Sequence, residues 1–351
     1  MIGIRVKAAV RTRVFRSALI VGAIATAGTP AWSDEGGVSA WLPGTFGSMA
    51  AAPAIPGWAL ATVYYHASLA AGGNVAASRE IEIGRFTPTA TANLSANLNA
   101  TGDLFFLAPS YTFATPVLGA QASIGMTTIV GHASASVNGT LMASLPPFTV
   151  LRTDAINDSV TGFGDLYPIA TLKWNQGVHN WMVYVNGDVP VGAYDRTRLI
   201  NVGIGHGAVD AGGGYTYFNP QAGLEFSAVA GFTYNFKNTA TDYQNGIDSH
   251  LDLAASKFIS KQVFIGAVGY VYNQLTGDSG SGAKLGAFRS RVEAIGPQAG
   301  YIFPVGSMLG VLNLKGYWEF DAENRAKGWN TWLTFAISAA PPPPASRPPG
   351  R

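Results

Sequence analysis

In residues 310–322, GVLNLKGYWEFDA, two chemistries alternate position by position. Asn313, Lys315, Tyr317, Glu319 and Asp321 make one set. Leu312, Leu314, Trp318 and Phe320 make the other, with Gly316 between them. A period of two is a β-strand with unlike faces, here one charged and one aliphatic and aromatic. A soluble sandwich buries such an apolar face against a second sheet, whereas a membrane barrel turns it to lipid.

The ends and the composition weigh on that choice. Arg5, Lys7, Arg11, Arg13 and Arg16 precede an apolar stretch near Ala18 to Ala27, and small residues follow at Thr29, Ala31 and Ser33. The stretch is shorter than the roughly 20 residues of a transmembrane helix, so residues 1–31 read as a signal peptide for export. The 351 residues contain no cysteine, so disulfides do not hold the exported chain together. Charged residues are 12% of the chain and glycine numbers 43, with no apolar 20-residue run after the leader. Low charge, abundant glycine and many aromatics without a helical span fit an outer-membrane β-barrel of a Gram-negative bacterium. The net charge is +2 and its basic excess lies mostly in the leader, which implies no nucleic-acid partner.

Residues 32–57 are punctuated by Pro43-Gly44, Pro53 and Pro56-Gly57 and read as an irregular segment ahead of the first strand, placed to act as a hatch in a lumen. Strand patterns then recur near 58–68, 103–115, 120–138, 162–175, 180–195, 207–218, 223–237, 248–259, 262–274, 288–303, 309–321 and 328–337. Short turn-forming connections alternate with longer ones, at 69–102, 139–161, 196–206, 238–247, 275–287 and 322–327. That spacing predicts an all-β, transmembrane, antiparallel up-and-down barrel of about 12 strands over residues 58–338. Residues 339–351 are rich in proline and read as a disordered tail.

The charged faces supply candidate lumen-lining residues: Asp165, Lys173, Asp188, Glu225, Lys237, His250, Asp252, Arg289, Arg291, Glu293, Lys315, Tyr317, Glu319 and Asp321. Both signs are present, so these side chains can brace neighbouring strands or set what passes between them. Tyr64, Tyr184, Tyr194, Tyr215, Tyr217 and Tyr317 are candidates for aromatic contacts with apolar solutes or for wall packing. No catalytic, cofactor or metal site is expected. Gly277-Asp278-Ser279-Gly280 has the sequence of a nucleophile segment but lies among turn residues, and the histidines lack metal-ligand spacing. His250 and Asp252, on one strand face, are the single acid–base pairing the pattern offers.

Gly162-Phe163-Gly164-Asp165-Leu166, Gly187-Asp188-Val189-Pro190-Val191-Gly192-Ala193-Tyr194, and Asn201-Val202-Gly203 before Asn219-Pro220 carry a resemblance. So does the stretch from Pro43-Gly44 to Pro56-Gly57-Trp58. The chain resembles the outer-membrane transporter family named for the phenol-degradation meta-pathway. The resemblance implies a channel for passive uptake of small hydrophobic or aromatic compounds. Its partners would be outer-membrane lipid, those solutes and the barrel-assembly machinery. An outer-membrane barrel hydrolase and a closed structural or adhesion barrel remain open alternatives. The proline-rich tail departs from the family, because Phe335 is followed by sixteen residues where such barrels end on an aromatic residue.

Overall fold

The computed structural model describes residues 39–73, 92–145, 148–283 and 286–340. The leader and most of the proline-rich tail lie outside the described residues. Twelve strands follow one another: β1 Gly57–Gly72, β2 Ala92–Thr112, β3 Gln121–Leu145, β4 Phe148–Gln176, β5 His179–Asp188, β6 Ala208–Asn219, β7 Leu224–Asn235, β8 Asp248–Phe258, β9 Val263–Gln274, β10 Arg291–Val305, β11 Met308–Glu323 and β12 Lys327–Ala339. Each pairs antiparallel with its sequence neighbours, and β1 pairs with β12 to close the barrel. Closure leaves no sheet edge in the wall, the condition for crossing hydrocarbon with strands.

The alternation in β11 resolves into outside and inside. Leu314 is 51% exposed and Trp318 61%, whereas Lys315 is 5% and Tyr317 1% exposed. A sheet face that leaves Phe226, Phe232, Leu314, Trp318 and Leu333 exposed is incompatible with water and suited to lipid. Aromatic residues band this face near both ends. Trp58, Trp181 and Tyr215 stand near the short turns, and Tyr234, Trp318 and Trp329 near the longer connections. Such girdles mark the two membrane–water interfaces.

Three strands outgrow the membrane. β2 has 21 residues, β3 25 and β4 29, against about 9–11 needed to cross. The sequence reading places loops at 69–102 and 139–161. Instead, β2 begins at Ala92, and only residues 146–147 separate β3 from β4. The strict alternation of short and long connections therefore fails there. The cause is composition: 92–102 is mostly Ala, Asn, Ser and Thr, and in 139–161 the apolar residues cluster about Pro146-Pro147, so a period of two carries little hydrophobic contrast, yet the backbone ladder is continuous from Ala92↔Ala143 to Leu107↔Thr128. Tertiary pairing overrides weak local preference.

Candidate functional site

The lumen is not empty of chain. Residues 41–54 run through it and hydrogen-bond to side chains from strands around the wall. The Asp252 carboxylate on β8 accepts the Gly44 and Phe46 amides, both at 3.0 Å. Lys315 Nζ on β11 donates to the Gly44 carbonyl at 2.6 Å. On β7, Glu225 accepts the Met49 amide at 2.8 Å and the Ser48 hydroxyl at 2.7 Å. Thr216 accepts the Ala51 amide at 3.0 Å, and Lys173 donates to the Ala52 carbonyl at 3.2 Å. Gln121 makes a reciprocal pair with the Ala54 backbone, at 2.7 and 2.6 Å. The segment has no ladder of its own. Acidic side chains take its N–H groups and lysines take its carbonyls, which answers the demand that buried backbone be paired.

An aromatic anchor holds the front of the segment. Trp41 stacks on His250 with centroids 3.7 Å apart and planes 12° from parallel, and Phe46 meets Tyr184 edge-on at 5.1 Å. His250 Nε2 also hydrogen-bonds with Asp210 at 2.9 Å. The His250 partner is thus Asp210 on β6, not Asp252, which is spent on the segment backbone; the pairing expected from one strand face is corrected. Gly44 has φ +87° and lies against the Tyr317 ring, where a Cβ would stand 3.1 Å from ring carbons. Glycine is required there on both counts.

Above the segment, toward the longer connections, the inward face is aromatic. Tyr65, Phe106, Tyr270, Tyr272, Tyr317 and Trp332 form one cluster with Val268 and Val292. Trp332 lies 4.7 Å from Tyr65 and 4.9 Å from Lys315 Nζ. The polar tips are largely tied back to the wall. Tyr270 donates to Glu319 at 2.7 Å, Tyr272 to Asp248 at 2.7 Å, and Trp332 Nε1 to Asn330 at 3.0 Å. The Tyr317 hydroxyl and Trp41 Nε1 are buried without a hydrogen-bond partner among the described residues.

Lys173, Glu225, His250, Asp252, Lys315 and Tyr317 therefore surround the internal segment. Glu319 faces inward at the long-connection end and also accepts the Gly328 amide at 2.8 Å. Asp165 is buried in β4 and accepts amides of Gly192 and Ile204, at 2.7 and 2.8 Å, fastening the 189–207 connection. Asp188 is buried at the end of β5, and neither carboxylate oxygen has a partner among the described residues.

Five candidates are not in the lumen. Lys237 follows β7 and pairs with Asp242 in an exposed connection. Arg289 precedes β10 and is exposed. Arg291 and Glu293 do share a face, but it is the outer one: Val292, Ala294 and Gln298 point inward instead. Asp321 sits at φ +46° opposite a register shift in β10, is exposed, and joins Glu323 in pairing with Arg291, each at 3.1 Å. The physical reason is common to all five. They lie at or beyond the level where lipid ends, so charge no longer implies the inward side. Tyr64, Tyr215 and Tyr217 also belong to the outer face. Tyr64 donates to Asp103, Tyr215 packs on Trp181 at 4.7 Å, and Tyr217 lies on the same face of β6 as Tyr215.

Trp41, Phe46, Asp210, Thr216, Gln121 and Gln298 escape the sequence reading. Thr216 and Gln298 share parity with inward neighbours and were detectable only once faces were assigned. The role of Trp41 has no local signal.

A closed antiparallel barrel with a lipid-facing apolar band, aromatic girdles and a charged lumen is an outer-membrane β-barrel. The chain belongs to the family described as the putative MetA-pathway of phenol degradation, which it matches over residues 82–335. No curated protein sequence matches it. Among solved structures it is similar to an outer-membrane channel from Pseudomonas putida F1, with 14% identity and a TM-score of 0.59, over 82% of this chain and 97% of that one. It matches a FadL homologue of Pseudomonas aeruginosa at 10% identity and TM-score 0.37, over 80% and 89% of the two chains. For the CymD monoaromatic hydrocarbon channel the values are 7% and 0.30, over 80% and 87%.

Proposed function

We propose that this protein is an outer-membrane channel for passive uptake of small hydrophobic or aromatic compounds, with residues 39–56 as a releasable hatch. The observation that carries the reading is the pairing of an inward-facing aromatic cluster with a strand-free segment seated beneath it. Rings whose hydroxyls are already tied to the wall offer apolar faces to a solute and few unmet polar groups. The seat is strong enough to close and imperfect enough to open. Buried donors left unpaired cost about 1–3 kcal/mol each, and Tyr317 and Trp41 each leave one. Uptake requires no covalent step. The short turns and both barrel ends at Gly57 and Ala339 face the periplasm, from which the chain is inserted by the barrel-assembly machinery after export. Family membership supports the reading, and so does the shared fold with an outer-membrane channel.

The test is deletion of residues 39–56 with the barrel retained. Single-channel conductance in planar bilayers is expected to rise severalfold, and influx of labelled phenol or toluene to quicken. A deletion that alters neither removes the hatch. Unchanged uptake of phenol, toluene and alkanes by cells lacking the protein removes the transport reading.

A further inference from the structure

The outer face of β2, β3 and β4 reverses its chemistry along the strands. Lowest is an apolar row, Phe105–Val130–Phe163, paired across the three strands. Next comes Asp103–His132–Thr161, then Thr101–Ser134–Ser159, then Asn99–Ser136–Asn157. The inner face does not reverse with it: Phe106 and Ile129 lie in the inward apolar cluster lower down, and the upper inner face is apolar too. Ala96, Ala135, Val137 and Ile156 bury against Leu199 from the 189–207 connection. Lipid must therefore end at about the Asp103 row, because above it the outward side chains are hydroxyls and amides. From Thr101 to Ser95 the strand continues for ~20 Å along its own tilted axis, at about 3.3 Å per residue.

This upper outer face is hollowed. A depression of about 520 Å³ lies over the Thr101 and Asn99 rows. Its hydrogen-bonding walls are Asn99, Thr101, Ser134, Ser136, Asn157 and Ser159. Thr101 and Ser134 hydroxyls bond each other at 2.8 Å, while no lysine or arginine lines the depression among the described residues. Asp158, at its floor, is engaged by the Leu199 amide at 3.0 Å. Short neutral donors and acceptors, set about 4.8 Å apart across strands, match the hydroxyls of a sugar, and Arg198, which donates to the Ser159 carbonyl at 3.1 Å, stands beside them.

Taking the outer-membrane reading as its base, we propose that this face binds the core saccharide of lipopolysaccharide in the surrounding outer leaflet through the sugar hydroxyls. The lipid-linked form is the occupant because the depression continues the lipid-facing wall upward without a break. Acyl chains pack on Phe105, Val130 and Phe163, and the sugars of the same molecule meet the Asn/Ser/Thr rows above. The inward aromatic cluster has no part in this contact.

The test uses the full-length barrel, purified in detergent and freed of lipid. It is offered rough lipopolysaccharide with its core, lipid A lacking core sugars, and free core oligosaccharide. The protein is expected to retain core-bearing lipopolysaccharide at least about tenfold better than lipid A, a difference of about 1.4 kcal/mol. The N99A/S136A/N157A variant is expected to lose that preference while keeping heat-modifiable migration and wild-type solute flux. Equal retention of lipopolysaccharide and lipid A by the wild type overturns the proposal, whatever the variant does. So does a folded variant with the preference intact. Free oligosaccharide bound as tightly as lipopolysaccharide excludes the lipid-linked occupant. Because flux is measured in the same samples, failure here is distinguishable from failure of the channel reading.

Discussion

Individual side chains hold the internal segment in its place against the barrel wall. Trp41 is the largest single anchor, stacked on His250 and close to Phe46 and Tyr184. Removing a buried tryptophan costs about 3–5 kcal/mol, and here the loss falls on the seating of the segment and not on the wall. Trp41→Ala is expected to raise open-channel occupancy in planar bilayers while leaving the barrel's unfolding midpoint in urea close to wild type. A lowered midpoint with unchanged conductance would place the residue in the wall. Outside the membrane, Asp242 has its carboxyl held down to about 2 from an ordinary 3.8, by hydrogen bonds from Lys237 first and from Ser281 next. Its folded value lies below its unfolded one. Its contribution to the 236–247 connection is therefore fully present above pH 3.8 and is lost as pH falls through about 2. A carboxyl chemical-shift titration is expected to show that low midpoint, and Lys237→Met to move it up.

Strand by strand, a face means different things at different heights. In β11 the outward Leu314 lies well inside the lipid band, paired with Ala299 and Leu333. Leu314→Arg is expected to cost about 2–4 kcal/mol of barrel stability, as charge does near the bilayer midplane, measured by urea unfolding in lipid vesicles. Lys315→Leu, one position on, is expected to change conductance more than stability. The period of two made β7, β8 and β11 legible in sequence, because aromatic and charged residues alternate there at full contrast. It misplaced Arg291 and Glu293, since a charged set at a strand end is set by water above the lipid, not by the lumen. In the outer third of β2 it gave only a weak alternation at Leu94 and Leu98, and it missed the outer parts of β3 and β4, where contrast between the faces is low until the strands pair.

At the scale of the whole barrel, one seam joins the two ends of the chain. Ala59↔Ser338 through Ala70↔Lys327 pair β1 with β12. Gly328 lies on that seam, and a Cβ there would run into the Ser68 carbonyl. Gly328→Val is expected to impair closure, seen as loss of heat-modifiable migration after refolding into vesicles, whereas Gly328→Ala should impair it less. Intact migration of the valine variant would show that the seam tolerates a bulge.

The order of residues determined by itself that this chain forms about a dozen two-faced strands bound for an outer membrane. A period of two, a basic N-terminus ahead of an apolar stretch and the poverty of charge are all local or compositional, so they survive without knowledge of contacts. Tertiary structure alone decided what each face meets. The Gly44 amide reaches Asp252 across 208 positions of sequence, and Asp103 meets the end of the lipid only because β2 pairs in one register with β3. Neither separation nor height above the bilayer is written in neighbouring residues. Both arise when the sheet closes and its tilt and register place every side chain against lipid, water or the chain's own N-terminal segment.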